Sequence, residues 1–417
     1  MTFLSFTVLS GYSMFFTYFL LDENRGLNYN TILAGIIIAC YFITWLLFAP
    51  QAGSISDKYG WKRFLMLGYF LSGICFLLLP LWNNFFFFCF LNVINGLGAA
   101  LRAGTLVALL TQFTPEENYG TAMGTYYSVQ GFGTIAGLIT GSLTWDILGI
   151  IGSPIFTVIS WFSVIVILLS GSSEGREFDR RSMREISEIR SISNPFTPII
   201  DSWKQEVIRK YTIAWLAFSM LVSGGGQYMP VIITNLSGGV ITATGVLVLL
   251  VPAVVLIALT QPVVGYLADR FGRSLFQFLG IIGAMSLVTL VGGLAFSDMI
   301  AESGSSSQIM VFVTGMLSFS PLLVFGVISM PTILFTLSLA LAAVLATCFI
   351  PSSLGILVSG INKEEKAQSL GLLNALVGTG NVGGIFIGSI FLAVFGYGGV
   401  ILFCFFLTLM LWSVKIG

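Results

Sequence analysis

Thirteen apolar stretches follow one another along the 417 residues, and most are as long as a bilayer core is thick. A hydrocarbon core of about 30 Å takes roughly 20 residues of α-helix. The stretches lie at 3–21, 29–50, 64–83, 85–112, 121–144, 150–170, 211–233, 240–262, 275–296, 309–330, 332–359, 367–392 and 396–414. Between them there is little else: charged residues make up 9% of the chain, against roughly 25% in an average soluble domain. So few charges cannot cover the surface of a water-soluble fold of this length. An all-α integral membrane protein is the expectation.

Basic residues set the orientation, because cytoplasmic segments carry the excess of Lys and Arg. With a cytoplasmic N-terminus and a segment 309–330 that does not cross, sixteen of the eighteen basic residues fall on the inner side. Arg25 alone lies outside, and Arg102 sits within a span. Asp22, Glu23, Asp146, Asp298 and Glu302 gather on the outer side. A full crossing at 309–330 would carry Lys363 and Lys366 outside, so twelve crossings fit better, with both termini cytoplasmic, in the plasma membrane. Segment 309–330, divided by Pro321, is expected to be a re-entrant hairpin or an interfacial helix pair. The first stretch lacks a basic leader and an Ala-x-Ala cleavage site, and is read as a retained helix. The polar interval 171–210 holds Arg176, Arg180, Arg181, Arg184 and Arg190, with acids between them. It reads either as a helix on the inner membrane surface or as a solvated linker. The organisation expected is a bundle over 1–170, a linker over 171–210 and a second bundle over 211–417.

The chain has no His, hence no imidazole for proton relay, metal binding or nucleophile activation. Its five Cys all lie in apolar stretches without ligand spacing and read as buried small hydrophobes. No metal, cofactor or enzymatic activity is expected, and a formal net charge of zero suggests no nucleic-acid partner.

Two pairs of motifs show that the halves repeat. Gly53-Ser-Ile-Ser-Asp57-Lys58-Tyr-Gly60-Trp-Lys62-Arg63 follows the second stretch. Gly265-Tyr-Leu-Ala-Asp269-Arg270-Phe-Gly272-Arg273 follows the eighth, 212 residues later. Both read G-x-x-x-D-[KR]-x-G. In the fifth stretch Gly124, Gly133, Gly137 and Gly141 match Gly371, Gly380, Gly384 and Gly388, each shifted by 247. The offset grows by 35 between the pairs, so the second half carries an insertion, where 309–330 lies.

The duplicated G-x-x-x-D-[KR]-x-G link resembles the signature loop of the major facilitator superfamily, and the resemblance extends over essentially the whole chain. It implies two pseudo-symmetric six-helix bundles, a solute site between them, and transport by alternating access. It also implies that Asp57 faces the start of the eleventh helix near Gln368, and Asp269 the start of the fifth near Thr121. A carboxylate is favoured there by the exposed amides of a helix N-terminus. The glycine ladder is similar to the superfamily's antiporter motif, but Leu138 and Ser142 stand where that motif has Pro and Gly. In the fourth helix the superfamily often has an Arg where this chain has Asn92.

Arg102 is the one charge well inside a span, and such a charge is a functional candidate by default. The alternative is that it snorkels to the cytoplasmic interface and pairs with Glu116 or Glu117. Tyr12, Asn95, Tyr126, Gln130, Gln227, Tyr228, Asn374 and Asn381 are further cavity candidates, each readable instead as a helix–helix hydrogen bond. Gly224-Gly225-Gly226 reads as a site of helix unwinding or of close packing. The function these features favour is transport of a small organic solute, anionic if Arg102 pairs with it, by a monomer in contact with membrane lipids. A coupling ion is left open. An exporter of amphipathic drugs and a non-transporting sensor or scaffold are the alternatives.

Overall fold

The computed structural model describes residues 1–22, 25–59, 61–113, 119–169, 213–224, 243–286, 341–342, 344–349, 352–353 and 366–413. All regular structure among them is helical. The first half contributes α1 (Thr2–Leu21), α2 (Thr31–Tyr59), α3 (Trp61–Leu78), α4 (Phe85–Phe113), α5 (Tyr119–Leu148) and α6 (Pro154–Leu169). Then come α7 (Ile213–Gly224), α8 (Ala243–Phe271), α9 (residues 273–286) and α10 (Lys366–Ser413). Among the described residues, seven helices are long and apolar enough to cross a membrane. The linker 171–210 and segment 309–330 lie outside the described residues.

Two boundaries differ from expectation. The duplicated motif was expected as a loop, yet α2 continues to Tyr59 and α8 to Phe271. No Gly or Pro lies between the first and last glycines of either copy, so the first seven motif residues extend the membrane helix. In the second copy the break falls at Gly272, whose φ of 108° is a conformation that L side chains rarely adopt. Its amide bonds back to the Ala268 carbonyl at 3.1 Å, closing the last turn before α9 starts.

The other difference is α10, helical throughout 48 residues that had been expected as two spans. It nonetheless makes two passes. A straight helix would separate Phe391 from Phe403 by about 18 Å along its axis. Their ring centroids are 5.3 Å apart, so the chain doubles back through the stretch containing Gly396, Gly398 and Gly399.

Each half has its own core, the first also taking in Ile385 of α10. Phe15, Phe19, Phe76, Phe88, Trp145 and Phe156 are buried together in the first. Trp215, Phe218, Ile281, Phe349, Phe403 and Leu407 are buried in the second. Large apolar side chains such as Phe86, Ile147, Leu169 and Phe271 point outward, the inversion expected where the surrounding solvent is lipid. Among the described residues the halves meet mainly along two helix pairs, α5 on α8 and α2 on α10, with a smaller contact of α4 on α10.

Candidate functional site

At the junction between halves, Asp269 on the last turn of α8 meets the first turn of α5. Its Oδ2 accepts from the Thr121 amide at 2.9 Å and from the Thr121 hydroxyl at 3.3 Å. Its Oδ1 accepts from Arg273 Nε at 3.0 Å and Nη2 at 2.8 Å. The start of an α-helix leaves amides without intrahelical partners, and the carboxylate satisfies one of them across the boundary between halves. Arg273 holds the same carboxylate in a two-pronged grip, which fixes its orientation. Both side chains are largely buried, 14% and 20% exposed, so solvent screens the pair less than a surface bridge. Arg270 stands outside this cluster, exposed, against Tyr266 and the Phe271 ring. Gly265 is buried within α8, and Arg63 is exposed on α3. In the first copy, Gly53, Asp57 and Lys58 lie on α2, but their surroundings and Gly60 lie outside the described residues.

From this junction the halves stay in contact to mid-helix. A Cβ at Gly124 would stand 2.6 Å from the Gln261 carbonyl, and one at Gly131 2.7 Å from the Cβ of Ala258. The α2–α10 pair has its own counterpart: a Cβ at Gly378 would stand 3.1 Å from the Cβ of Leu46. Gly131 and Gly378 are again 247 residues apart and sit equally deep in their helices.

The remaining ladder glycines face inward, within each half. Gly137 abuts Thr7, Ser10 and Gly11 of α1, while Gly384 abuts Met220 and Ser223 of α7. A Cβ at Gly11 would lie 2.9 Å from the Gly137 carbonyl, and one at Gly224 2.8 Å from the Gly384 carbonyl. Gly224 thus serves close packing; Gly225 and Gly226 lie outside the described residues. Ser10-Gly11 and Ser223-Gly224 are a third repeated element, which the sequence reading missed. The signal was there: a Ser-Gly pair shifted by 213, one residue from the offset of the Asp motif. Gly133 and Gly141 also pack on α1, Gly380 packs on α7, and Gly388 is buried. Gly371 lies on α10.

Arg102 lies in the first bundle, 2% exposed. Its Nη1 donates to the Gly68 carbonyl at 3.2 Å and to Ser72 Oγ at 2.6 Å, both on α3. The guanidinium carbon sits 5.0 Å from the centroid of the Tyr69 ring. The Ser72 hydroxyl in turn donates to Asn95 Oδ1 at 2.8 Å. Nε is buried without a hydrogen-bond partner.

The direction of this side chain is informative. Helices α3 and α4 touch where a Cβ at Gly68 would stand 2.6 Å from the Gly98 carbonyl. Ser72 and Asn95 lie one turn beyond, away from the end of α4 at Phe113. The guanidinium therefore reaches toward mid-helix, as helical side chains lean toward their N-terminus. Snorkelling toward residues 114–118 would require the opposite direction.

The other cavity candidates are dispersed. Tyr12 is buried among Phe16, Phe76 and Phe156. Tyr126 packs edge-on to Phe6 and Tyr127, and Gln130 and Asn381 are half-buried. Asn374 lies on α10 with undescribed surroundings, and Gln227 and Tyr228 lie outside the described residues. Among the described residues no group of three or more His, Cys, Asp or Glu could hold a metal.

The family model for the Major Facilitator Superfamily matches residues 1–313. Over 150 residues the chain is 27% identical to the multi-drug resistance efflux pump PmrA of Streptococcus pneumoniae, covering 36% of this chain and 37% of that one. It is 25% identical over 193 residues to the class H tetracycline resistance protein of Pasteurella multocida, covering 46% of each. It is 23% identical over 263 residues to the multidrug resistance protein MdtG of Escherichia coli O9:H4 (strain HS), covering 61% of each. The matched stretches thus span between 37% and 61% of the length of these relatives. Over 99% of the chain and 96% of the other, the fold resembles the crystal structure of the nucleoside transporter NupG, with a TM-score of 0.69 and 11% identity.

Proposed function

Since the chain belongs to the major facilitator superfamily and is a multi-pass membrane transporter, we propose that it moves a small organic solute by rocking its two halves about the α5–α8 and α2–α10 contacts. The observation that carries this is the Asp269–Thr121 bond, a charged contact between halves at the basic end of the helices. It is a bond that rocking can break and remake. On this reading Asp269 and Arg273 close the cytoplasmic side, with Asp57 as their counterpart across the pseudo-symmetry axis. The bundles are 1–170 and 211–417, joined by the linker 171–210, and the protein works as a monomer in the plasma membrane with both termini inside.

A second reading is export of amphipathic compounds. The relatives named for multidrug and tetracycline resistance favour it. The missing Pro and Gly of the antiporter motif, replaced by Leu138 and Ser142, count against it. Proteoliposomes test both, with labelled succinate and benzoate and the fluorescent amphiphile ethidium as probes. Carboxylate flux above that of protein-free liposomes is the expected result. Ethidium flux alone would favour the exporter, and no flux of any probe a non-transporting role.

A further inference from the structure

Arg102 is a permanent cation in the middle of a membrane helix, and its partners among the described residues are all neutral. The Gly68 carbonyl and the Ser72 hydroxyl take Nη1, and the Tyr69 ring covers one face. Among the described residues no carboxylate pairs with it. A guanidinium offers five donors in a planar fork and does not lose its proton in a protein. Carbonyl and hydroxyl dipoles orient such a charge without neutralising it. A buried charge without a counter-charge is strongly disfavoured. The edge bearing Nε, buried and without a partner, is the side on which a counter-charge is missing.

We infer that this edge receives the carboxylate or phosphate of the transported solute, so that the substrate is an organic anion. The inference rests on the transport reading above and adds the class of substrate to it. Recognition is by a paired contact through Nε and the neighbouring Nη2, which suits the two oxygens of a carboxylate. Tyr69, Ser72 and Asn95 are positioning residues. Tyr69 and Ser72 hold the fork in plane and leave Nε without a protein partner, while Asn95 fixes the Ser72 hydroxyl so that its lone pair faces Nη1.

Anionic lipid carries the same chemistry as a soluble phosphate, so the test separates the two sources. The full chain is placed in nanodiscs of neutral lipid, as wild type, Arg102→Lys and Arg102→Gln. Thermal unfolding is followed with succinate, benzoate or inorganic phosphate at constant ionic strength. The uncharged succinamide and benzamide serve as controls, and phosphatidylglycerol is added to the discs in a separate arm.

At least one soluble anion should raise the wild-type midpoint by about 2 °C or more, a shift that binding to the folded state produces by mass action. The amides should do nothing. Arg102→Lys keeps the charge but loses the fork, and should weaken anion binding at least tenfold. Arg102→Gln should lose the response while unfolding no earlier than wild type in anion-poor buffer.

Three results overturn the inference. One is no shift with any soluble anion; another is an equal shift in Arg102→Gln. The third is a shift with phosphatidylglycerol alone, which would assign the edge to lipid. If Arg102→Gln unfolds early, Arg102→Lys decides: anion binding weakened at least tenfold in a protein as stable as wild type supports the inference. Proteoliposome flux is read separately. Stabilisation without flux sinks the transport reading, and ethidium flux with neither carboxylate flux nor stabilisation sinks only the anion.

Discussion

Asp269 shows how much a single side chain can report. It accepts from Thr121 on one half and from Arg273 on its own, so Asp269→Asn keeps the shape but, uncharged and with one acceptor oxygen, cannot hold both contacts. A hydrogen bond to a charged group contributes about 1.5–3 kcal/mol. We expect Asp269→Asn to weaken the closed cytoplasmic side by about 1–2 kcal/mol, roughly a tenfold change in population or more. Solute flux should fall, while expression and the unfolding midpoint stay near wild type. Unchanged flux in a well-folded Asp269→Asn protein would reduce the motif to turn chemistry. Gly272 is a separate case, because its φ of 108° is demanded by the sharp turn into α9. Gly272→Ala should cost about 1–2 kcal/mol of stability through strain alone, since a Cβ there meets nothing within 4 Å. A midpoint equal to wild type would show that the turn relaxes. The Asp269–Thr121 contact could be foreseen because the duplicated motif resembles the superfamily's signature loop, which implies it. The environment of Arg102 could not. Its partners on α3 are some thirty residues distant, and only packing decides which helix a side chain leans on.

Helix α5 carries two jobs on two faces. Gly133, Gly137 and Gly141 let α1 approach within its own bundle, and Gly124 and Gly131 let α8 approach across the boundary. The ladder was visible in the sequence as one feature. Its division was not, because glycines at 124, 131, 133, 137 and 141 look alike until the neighbours are known. The faces should respond differently to the same substitution. Gly137→Leu drives a side chain into the α1 backbone, and overpacking of this kind costs typically 1–3 kcal/mol. It should lower the unfolding midpoint and the yield. Gly131→Leu meets only Ala258 of the other half, so the two halves can separate locally without disturbing either core. It should fold normally yet lose flux by about tenfold, as a shift of about 1.4 kcal/mol in the conformational balance would produce. Equal loss of stability in both variants would mean that the two faces are one packed unit.

At the scale of the whole molecule, the repeat explains why the helices lie where they do. Three motifs recur, at offsets of 212, 213 and 247 residues, and each places its second copy in the contact made by the first: α1 on α5 as α7 on α10, and α5 on α8 as α2 on α10. Parallel repeats of this kind require an even number of crossings between matched motifs, because corresponding helices must run in the same direction. The two passes of α10, shown by Phe391 against Phe403, supply the last two crossings. The extra 35 residues between the first and third offsets therefore cannot add one full crossing without turning α10 over. If they did, the Gly384 face would no longer meet α7 in the register that Gly137 keeps with α1. We therefore predict that segment 309–330 does not cross, which would keep Lys363 cytoplasmic. The experiment starts from a variant with all five native cysteines replaced, carrying Lys363→Cys. A membrane-impermeant maleimide added to intact cells should leave it unlabelled, and inside-out vesicles should label it fully. Labelling from outside in intact cells would reverse α10, break the correspondence between the halves, and give the chain thirteen crossings.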